Sequence, residues 1–162
     1  MCIRDRYTRS LGGLIVKFWN VYGIERDMEK AHVITDFIRK GFETGTIDMM
    51  TDGTEEREFL YAEDCCEALE TVMREYSYFT SDSDIHITSF TNTTILEIGK
   101  IIQGLFRSID KKVTLNPAQA KDEVQKDARN EANPYIRKWW KAKTSIEDGI
   151  EKVFNEMKKD YE

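Results

Sequence analysis

The sequence predicts a mixed α/β fold, and three patterns support this prediction. An almost continuous apolar run over 14–19 is typical of a strand buried on both faces, as in parallel sheets. Apolar residues recur at helical spacing in four later segments. An Asp-Gly pair at 52–53 lies between two short apolar runs and indicates a hairpin. A length of 162 residues fits one domain with a sizeable core.

The first helix and the hairpin are predicted after the apolar run. Gly45 ends the helix as a turn residue, and the apolar residues at helical spacing before it are Val33, Ile34, Phe37, Ile38 and Phe42. The hairpin is expected to join 47–50 to 58–61, because Asp-Gly readily adopts the positive φ angles of a tight turn.

The second helix is expected to begin at the acidic pair Glu63 and Asp64, since negative charge suits a helix N-terminus. Its expected inner face comprises Ala62, Cys65, Cys66, Leu69, Val72, Met73 and Tyr76. A polar loop at 77–84 and a short strand at 85–90 are predicted to follow.

Two capping boxes predict the starts of the last two helices. Thr94 with Glu97 opens the third helix, whose buried stripe is expected to be Ile95, Ile98, Ile101, Ile102 and Leu105. Thr144 with Glu147 is expected to open the fourth, whose inward residues would be Ile146, Ile150, Val153, Phe154 and Met157. The polar segment 116–134 contains both prolines and no clear period, which predicts an irregular surface segment.

The composition excludes several functional classes. A net charge of -6 and a pI near 5.1 argue against nucleic acid as a partner. No apolar run is long enough to cross a membrane, and the N-terminus lacks the apolar core of a signal peptide, so we expect a cytoplasmic location. No disulfide framework or metal site is expected, because Cys65 and Cys66 are neighbours and the two histidines lie far from them.

Four motifs follow one another in a characteristic order. They are Asn-Val-Tyr-Gly at 20–23, Thr-Asp-Gly-Thr at 51–54, Arg-Glu-Phe-Leu-Tyr-Ala-Glu-Asp at 57–64, and Trp-Lys-Ala-Lys-Thr-Ser-Ile-Glu-Asp-Gly-Ile at 140–150. Together they resemble the extended short-chain dehydrogenase/reductases, in particular the NAD-dependent epimerase/dehydratase family that acts on nucleotide-sugars. Each motif alone is modest, but the four in order are specific, and the resemblance covers residues 7–158.

The resemblance implies the C-terminal part of a Rossmann-type fold, with a late sheet strand and a small substrate-binding α+β portion. The family's Gly-x-x-Gly-x-x-Gly turn, which holds the cofactor pyrophosphate, has no counterpart, because Gly12 and Gly13 precede a strand. The catalytic Tyr-x-x-x-Lys pair is also missing, since no tyrosine is followed by lysine four residues later. Thr51, Trp139 and Ala142 depart from the family's usual Gly, Gly and Pro.

These features predict a non-native leader at 1–6 and a C-terminal substrate-binding portion at 7–162, with the N-terminal cofactor-binding part missing. NAD(H) is the cofactor implied for the parent enzyme, while this chain alone is expected to bind none. The expected ligand is a nucleotide-sugar, and no catalytic residue is expected in this chain.

Five residues are candidates for substrate contacts: Asn20, Val33, Met49, Arg57 and Arg129. Arg57 is the best candidate for the diphosphate, because a guanidinium binds phosphate oxygens in a bidentate manner. The alternative is a surface ion pair with one of Glu55, Glu56 and Glu58.

The other candidates have structural alternatives as well. Asn20 follows a predicted strand, where α/β sheets bind ligands, and its amide could donate to a phosphate or a sugar hydroxyl. Its alternative role is to form a turn beside Gly23. Val33 and Met49 fall near the expected nucleotide, although core packing explains both more simply. One further nucleotide contact is expected from Gln125, Lys126 or Arg129.

Three functions compete at this point. The first is the substrate-binding part of an NAD-dependent nucleotide-sugar epimerase or dehydratase that is inactive alone. The second is a non-catalytic sugar-nucleotide-binding or interaction module completed by a partner chain, since an uncovered apolar strand at 14–19 would favour association. A homodimer is a further form of that hypothesis. The third is an unrelated α+β interaction domain.

Overall fold

The computed structural model describes residues 8, 10–79, 84–122 and 131–162. Within these ranges the strands are β1 (Val16–Phe18), β2 (Val21–Tyr22), β3 (Thr46–Asp48), β4 (Glu56–Glu58), β5 (Leu60–Tyr61), β6 (Ile85–Ile87), β7 (Asn92–Thr94) and β8 (Thr114–Asn116). The α-helices are α1 (Val33–Glu43), α2 (Ala62–Arg74), α3 (Ile95–Ser108) and α4 (Ile146–Lys158). Short 3-10 helices lie at Met28–Lys30, Tyr76–Tyr78 and Pro134–Lys138. The prediction of a mixed α/β fold with four helices is confirmed for this part of the chain.

The strands pair over long sequence distances. Three pairs are parallel, namely β1 with β6, β2 with β5, and β3 with β8, whereas β4 pairs antiparallel with β7. Parallel neighbours need a crossover connection, and α1 lies in the connection between β2 and β5. Each parallel pair therefore has at least one helix in its connection.

The prediction that the run at 14–19 forms a strand buried on both faces is wrong. The run at 14–19 contains the short strand β1, which pairs with β6, and within the described residues no other strand bonds to it. Lys17 and Phe18 are exposed, and Phe18 keeps 54% of its surface accessible. Leu14 and Val16 pack against the core, so the apolar run covers one side of the domain rather than crossing its centre.

The expected hairpin between 47–50 and 58–61 is also wrong. A type I′ turn needs positive φ at both central residues, but only Gly53 of the Asp-Gly pair has it, with φ of 75°. The Oδ1 of Asp52 instead accepts from the backbone N–H of Thr54 at 3.0 Å. The chain around this loop bonds to 116–120, where the Asp52 N–H donates to the carbonyl of Ala120 at 2.7 Å. The start of the segment expected to be irregular is thus part of a strand pair.

The inner face of α2 differs from the predicted one. Cys65 and Val72 are buried as expected, but Cys66, Met73 and Tyr76 are exposed. The buried positions follow the helical period from Cys65 through Ala68 to Val72, which turns Cys66 and Met73 outward. Burial raises the pKa of the Cys65 thiol, with a smaller effect from the adjacent Cys66, so packing accounts for this residue.

The capping box of α3 is confirmed, whereas that of α4 is displaced by one residue. The hydroxyl of Thr94 accepts from the Glu97 N–H at 3.1 Å, and the Glu97 carboxylate accepts from the Thr94 N–H at 2.8 Å. At α4 the N-cap is Ser145 rather than Thr144, and its hydroxyl accepts from the Asp148 N–H at 3.0 Å. The inward residues of α4 are those predicted, from Ile150 to Met157.

Two apolar clusters form the core, and they meet at β5. The first joins α1, α3 and α4 around Phe106 and Phe154, and the second joins α2 and β6 with Trp140. Successive strand side chains point to opposite faces. Accordingly, Phe59 and Tyr61 belong to the first cluster, while Leu60 lies between them and belongs to the second.

Candidate functional site

A cavity of about 510 Å³ brings together residues that are distant in the sequence. Four of the five predicted substrate contacts line it, namely Asn20, Val33, Met49 and Arg57. The fifth, Arg129, lies outside the described residues, as do Gln125 and Lys126. The cavity lies between β2, the N-terminal half of α1, the segment after β3, and β4. The proposed ligand roles of its residues stay predictions.

Arg57 pairs with a residue that the sequence did not indicate. Its Nη2 lies 2.6 Å from the Oδ2 of Asp122, and both residues line the cavity. The side chains of Arg57 and Asp122 are 34% and 16% exposed, so the pair is partly shielded from water. An ion pair with a neighbouring glutamate was the expected alternative, and that partner is corrected to Asp122. No local pattern could reveal Asp122, because it lies 65 positions away in a segment without a period.

Asn20 connects two strands instead of forming a local turn. Its Nδ2 donates to the backbone carbonyl of Glu58 at 3.0 Å, and its own carbonyl accepts from the Leu60 N–H at 3.2 Å. A primary amide carries two N–H donors, so this bond uses one of them. Asn20 therefore fixes the start of β2 against β5 and against β4, the strand that carries Arg57.

Val33 and Met49 serve the core as well as the cavity wall. Val33 is the first residue of α1 and packs against the first cluster, and Met49 is 6% exposed within that cluster. Met50, in contrast, is 90% exposed and lines the same cavity. The packing interpretation of Val33 and Met49 therefore agrees with their burial, while both remain within reach of the cavity.

The cavity combines apolar walls with several charges. Phe37, Phe59 and Ile95 are buried residues that form part of its lining. Its carboxylates are Asp36, Asp48, Glu55 and Asp122. The cations among the described lining residues are Arg57 and Lys40, and the Nζ of Lys40 lies 2.7 Å from the Oδ2 of Asp36. The apolar walls suit an apolar part of a ligand, whereas each of these two cations already faces a carboxylate.

The motifs at 20–23, 57–64 and 140–150 meet beside this cavity. Asp64 is 4% exposed, and its Oδ2 accepts from the backbone N–H groups of Lys143 at 3.2 Å and Thr144 at 2.8 Å. Sequence reasoning gave Asp64 only a role at the helix N-terminus and missed this tether. The motif positions are thus linked by direct bonds.

Tyr22 packs in the centre of this junction. It is 5% exposed and contacts the rings of Phe59 and Tyr61. Burial raises the pKa of the Tyr22 hydroxyl far above its usual value, and the nearby Tyr61 and Asp64 add to the shift. The phenol is therefore protonated at neutral pH, and the burial and ring contacts of Tyr22 give it a packing role at this junction.

The described part of the chain shows neither a membrane-spanning helix nor a metal-binding cluster. No helix in that part of the chain is both long and apolar enough to pass through a membrane. No three His, Cys, Asp or Glu side chains among those residues come together in a way that could hold a metal ion.

Comparison with known proteins agrees with the fold and the motifs. GDP-L-fucose synthase from Sinorhizobium fredii is 28% identical over 142 residues, which is 83% of this chain and 43% of that protein. The epimerase Mth375 from Methanothermobacter thermautotrophicus superposes with a TM-score of 0.78 at 17% identity, over 98% of this chain and 47% of that one. UDP-glucose 4-epimerase from Thermotoga maritima, solved with UDP-glucose, superposes with a TM-score of 0.75 at 21% identity. The match covers 98% of this chain and 50% of that one.

The chain thus spans about half the length of the relatives it matches. The structural matches confirm a mixed α/β fold that corresponds to the C-terminal half of Rossmann-type epimerase and dehydratase structures. The profile of the NAD dependent epimerase/dehydratase family matches residues 3–87, which is more than half of the chain. The resemblance found in the four motifs is therefore confirmed, and the chain belongs to the NAD dependent epimerase/dehydratase family.

Proposed function

We propose that the cavity binds the nucleoside diphosphate part of a nucleotide-sugar, and that this chain supplies substrate contacts in an epimerase or dehydratase. The proposal rests on the observation that Arg57 and Asn20 line the same cavity of about 510 Å³. A planar guanidinium suits two phosphate oxygens at once, and a cavity of this size is typical of small-molecule sites.

The two polar residues would have distinct roles. Arg57 would neutralise the diphosphate, and Asn20 would donate its second amide N–H to a phosphate or sugar oxygen. The apolar wall formed by Phe37 and Ile95 would receive the less polar part of the ligand. Relatives named for GDP-sugars and for UDP-glucose support the ligand class without choosing a base.

The residues present do not fit the NAD of the family. A pyrophosphate-binding turn lies between a strand and a helix N-terminus, whereas Gly12 and Gly13 precede β1. The chain also has no Tyr-x-x-x-Lys pair. Hydride transfer is therefore proposed only for the whole enzyme, and we expect no turnover of a nucleotide-sugar with NAD by this chain alone.

Thermal unfolding of the full chain with UDP-glucose and with a GDP-sugar tests the proposal. We expect at least one ligand to raise the midpoint temperature, and Arg57→Ala to abolish that rise. Arg107→Ala is the matched control, because Arg107 lies on α3 and hydrogen-bonds to Gln103 outside the cavity. An equal rise in wild type and Arg57→Ala would show that the ligand binds elsewhere.

A second candidate function is a binding module completed by a partner chain. The exposed Phe18 on β1 favours it, because an apolar side chain on a strand edge promotes association. Light scattering of the purified chain should then detect a dimer or larger species that Phe18→Ser converts to monomer. A monomeric and protease-resistant sample would count against this candidate.

A further inference from the structure

Asp122 bonds to the guanidinium of Arg57, which is the group that a phosphate would need. The Nη2 of Arg57 is 2.6 Å from the Asp122 carboxylate, and both side chains face the same cavity. A carboxylate and a phosphate each present two oxygens to a guanidinium in similar geometry. Asp122 is therefore placed where a ligand phosphate would bind Arg57.

The charges around the pair oppose a complex that holds both anions. The cavity lining contains the further carboxylates Asp36, Asp48 and Glu55. Among the described residues of the lining, Lys40 is the other cation, and it is already paired with Asp36. A diphosphate that entered while Asp122 remained on Arg57 would meet repulsion from these carboxylates at short range.

We propose that Asp122 sets the affinity of the cavity by competing with the ligand for Arg57, so that a nucleoside diphosphate binds by exchange with this carboxylate. The inference rests on the proposed nucleotide binding and adds an internal competitor to it. Only molecules whose Arg57 is released from Asp122 can bind, so the apparent affinity is lowered by the fraction of chains in the paired state.

Isothermal titration of the full chain with UDP and with GDP tests the exchange. The variants are Asp122→Asn and Asp122→Ser. They differ in size, so that if one of them does not fold, the other still tests the exchange. Asp48→Asn is the control, because it removes the same charge from the same cavity while its carboxylate bonds to Asn116 instead of Arg57.

We expect both Asp122 variants to bind about three- to tenfold more tightly than wild type, where tenfold corresponds to about 1.4 kcal/mol. Asp48→Asn should give a smaller gain, from long-range charge alone. Arg57→Ala should lose binding with or without Asp122→Asn, because removal of the competing carboxylate cannot replace the guanidinium.

The outcomes separate the two proposals. Unchanged or weaker binding by both Asp122 variants, or an equal gain in Asp48→Asn, would overturn the exchange while leaving nucleotide binding intact. No saturable binding by wild type or by either Asp122 variant would overturn the proposed function itself, and the exchange with it.

Discussion

The hydroxyl of Tyr22 lies against the backbone of Gly149 so closely that no side-chain carbon fits between them. Tyr22 comes from the motif at 20–23 and Gly149 from α4 in the motif at 140–150. Both residues are buried. The glycine of the last motif is therefore required by the aromatic ring of the first one.

Gly149→Ala is expected to lower the free energy of unfolding by about 1–3 kcal/mol, because the new methyl group would force Tyr22 out of its position. Gly104→Ala is the matched control in α3, since a Cβ there meets no atom within 4 Å outside its own helical turn. That change should stabilise by about 0.5–1 kcal/mol through helix propensity. Urea unfolding measures both, and a similar loss in the two variants would contradict the steric explanation.

Asp64→Asn is expected to cost about 1–3 kcal/mol of stability, because the buried carboxylate that accepts from the Lys143 and Thr144 N–H groups loses its charge. Glu63→Gln removes a charge from the same helix turn, but its 3.5 Å pair with Lys152 is solvent-exposed. Equilibrium unfolding should show at most about 0.5 kcal/mol for this control. If the two variants lost equal stability, the helix N-terminus and not the tether would explain Asp64.

Ser145→Ala should destabilise the chain by about 1 kcal/mol, because it removes the acceptor for the Asp148 N–H at the N-cap of α4. Thr144→Ala should have a much smaller effect, since the bond from Thr144 to Asp64 uses its backbone N–H. Chemical denaturation of the two single variants decides between the observed cap and the one predicted from the sequence. A larger loss of stability in Thr144→Ala than in Ser145→Ala would support the predicted cap at Thr144 instead.

His86 is expected to make stability fall in mild acid. Burial lowers the pKa of His86, with a further contribution from Lys17, and the Nδ1 of His86 accepts from the Asn133 N–H at 2.9 Å. A lowered pKa in the folded state means that this contribution is complete above the unfolded pKa and is lost as pH falls through the folded one. Unfolding measured between about pH 7.5 and 5 should therefore show a steeper decline in wild type than in His86→Gln. Equal slopes would exclude the histidine as the cause.

Local patterns predicted the helices well and the strand pairs poorly. The spacing of residues such as Ile98 and Ile102 is a property of one segment, and α3 formed where this spacing and its capping box placed it. The pairing of β3 with β8 depends on residues far apart, and no local feature distinguishes it from a hairpin. The prediction that the apolar run at 14–19 is buried on both faces failed for the same reason. Burial depends on which other elements cover a strand, and the run itself does not specify them.

The candidate site also contains residues that the sequence could predict and one that it could not. The motifs led to Arg57 and Asn20, which do line one cavity, and their ligand roles await the binding experiments. Asp122 could not be found from the sequence, because a carboxylate in a polar segment has no signature until the fold places it beside Arg57. Resemblance to a family identifies the residues that relatives share, but it does not show which neighbours those residues acquire.

The long sequence distances between paired strands also determine the order of events during synthesis. Val16 pairs with Ile85, and Thr46 pairs with Thr114, so β1 and β3 leave the ribosome long before their partners. Closing such loops is slow compared with forming a helix. During that interval β1 lacks its partner β6, and an unpaired apolar strand favours aggregation. Chaperone binding to nascent chains should therefore be strongest before Ile85 emerges.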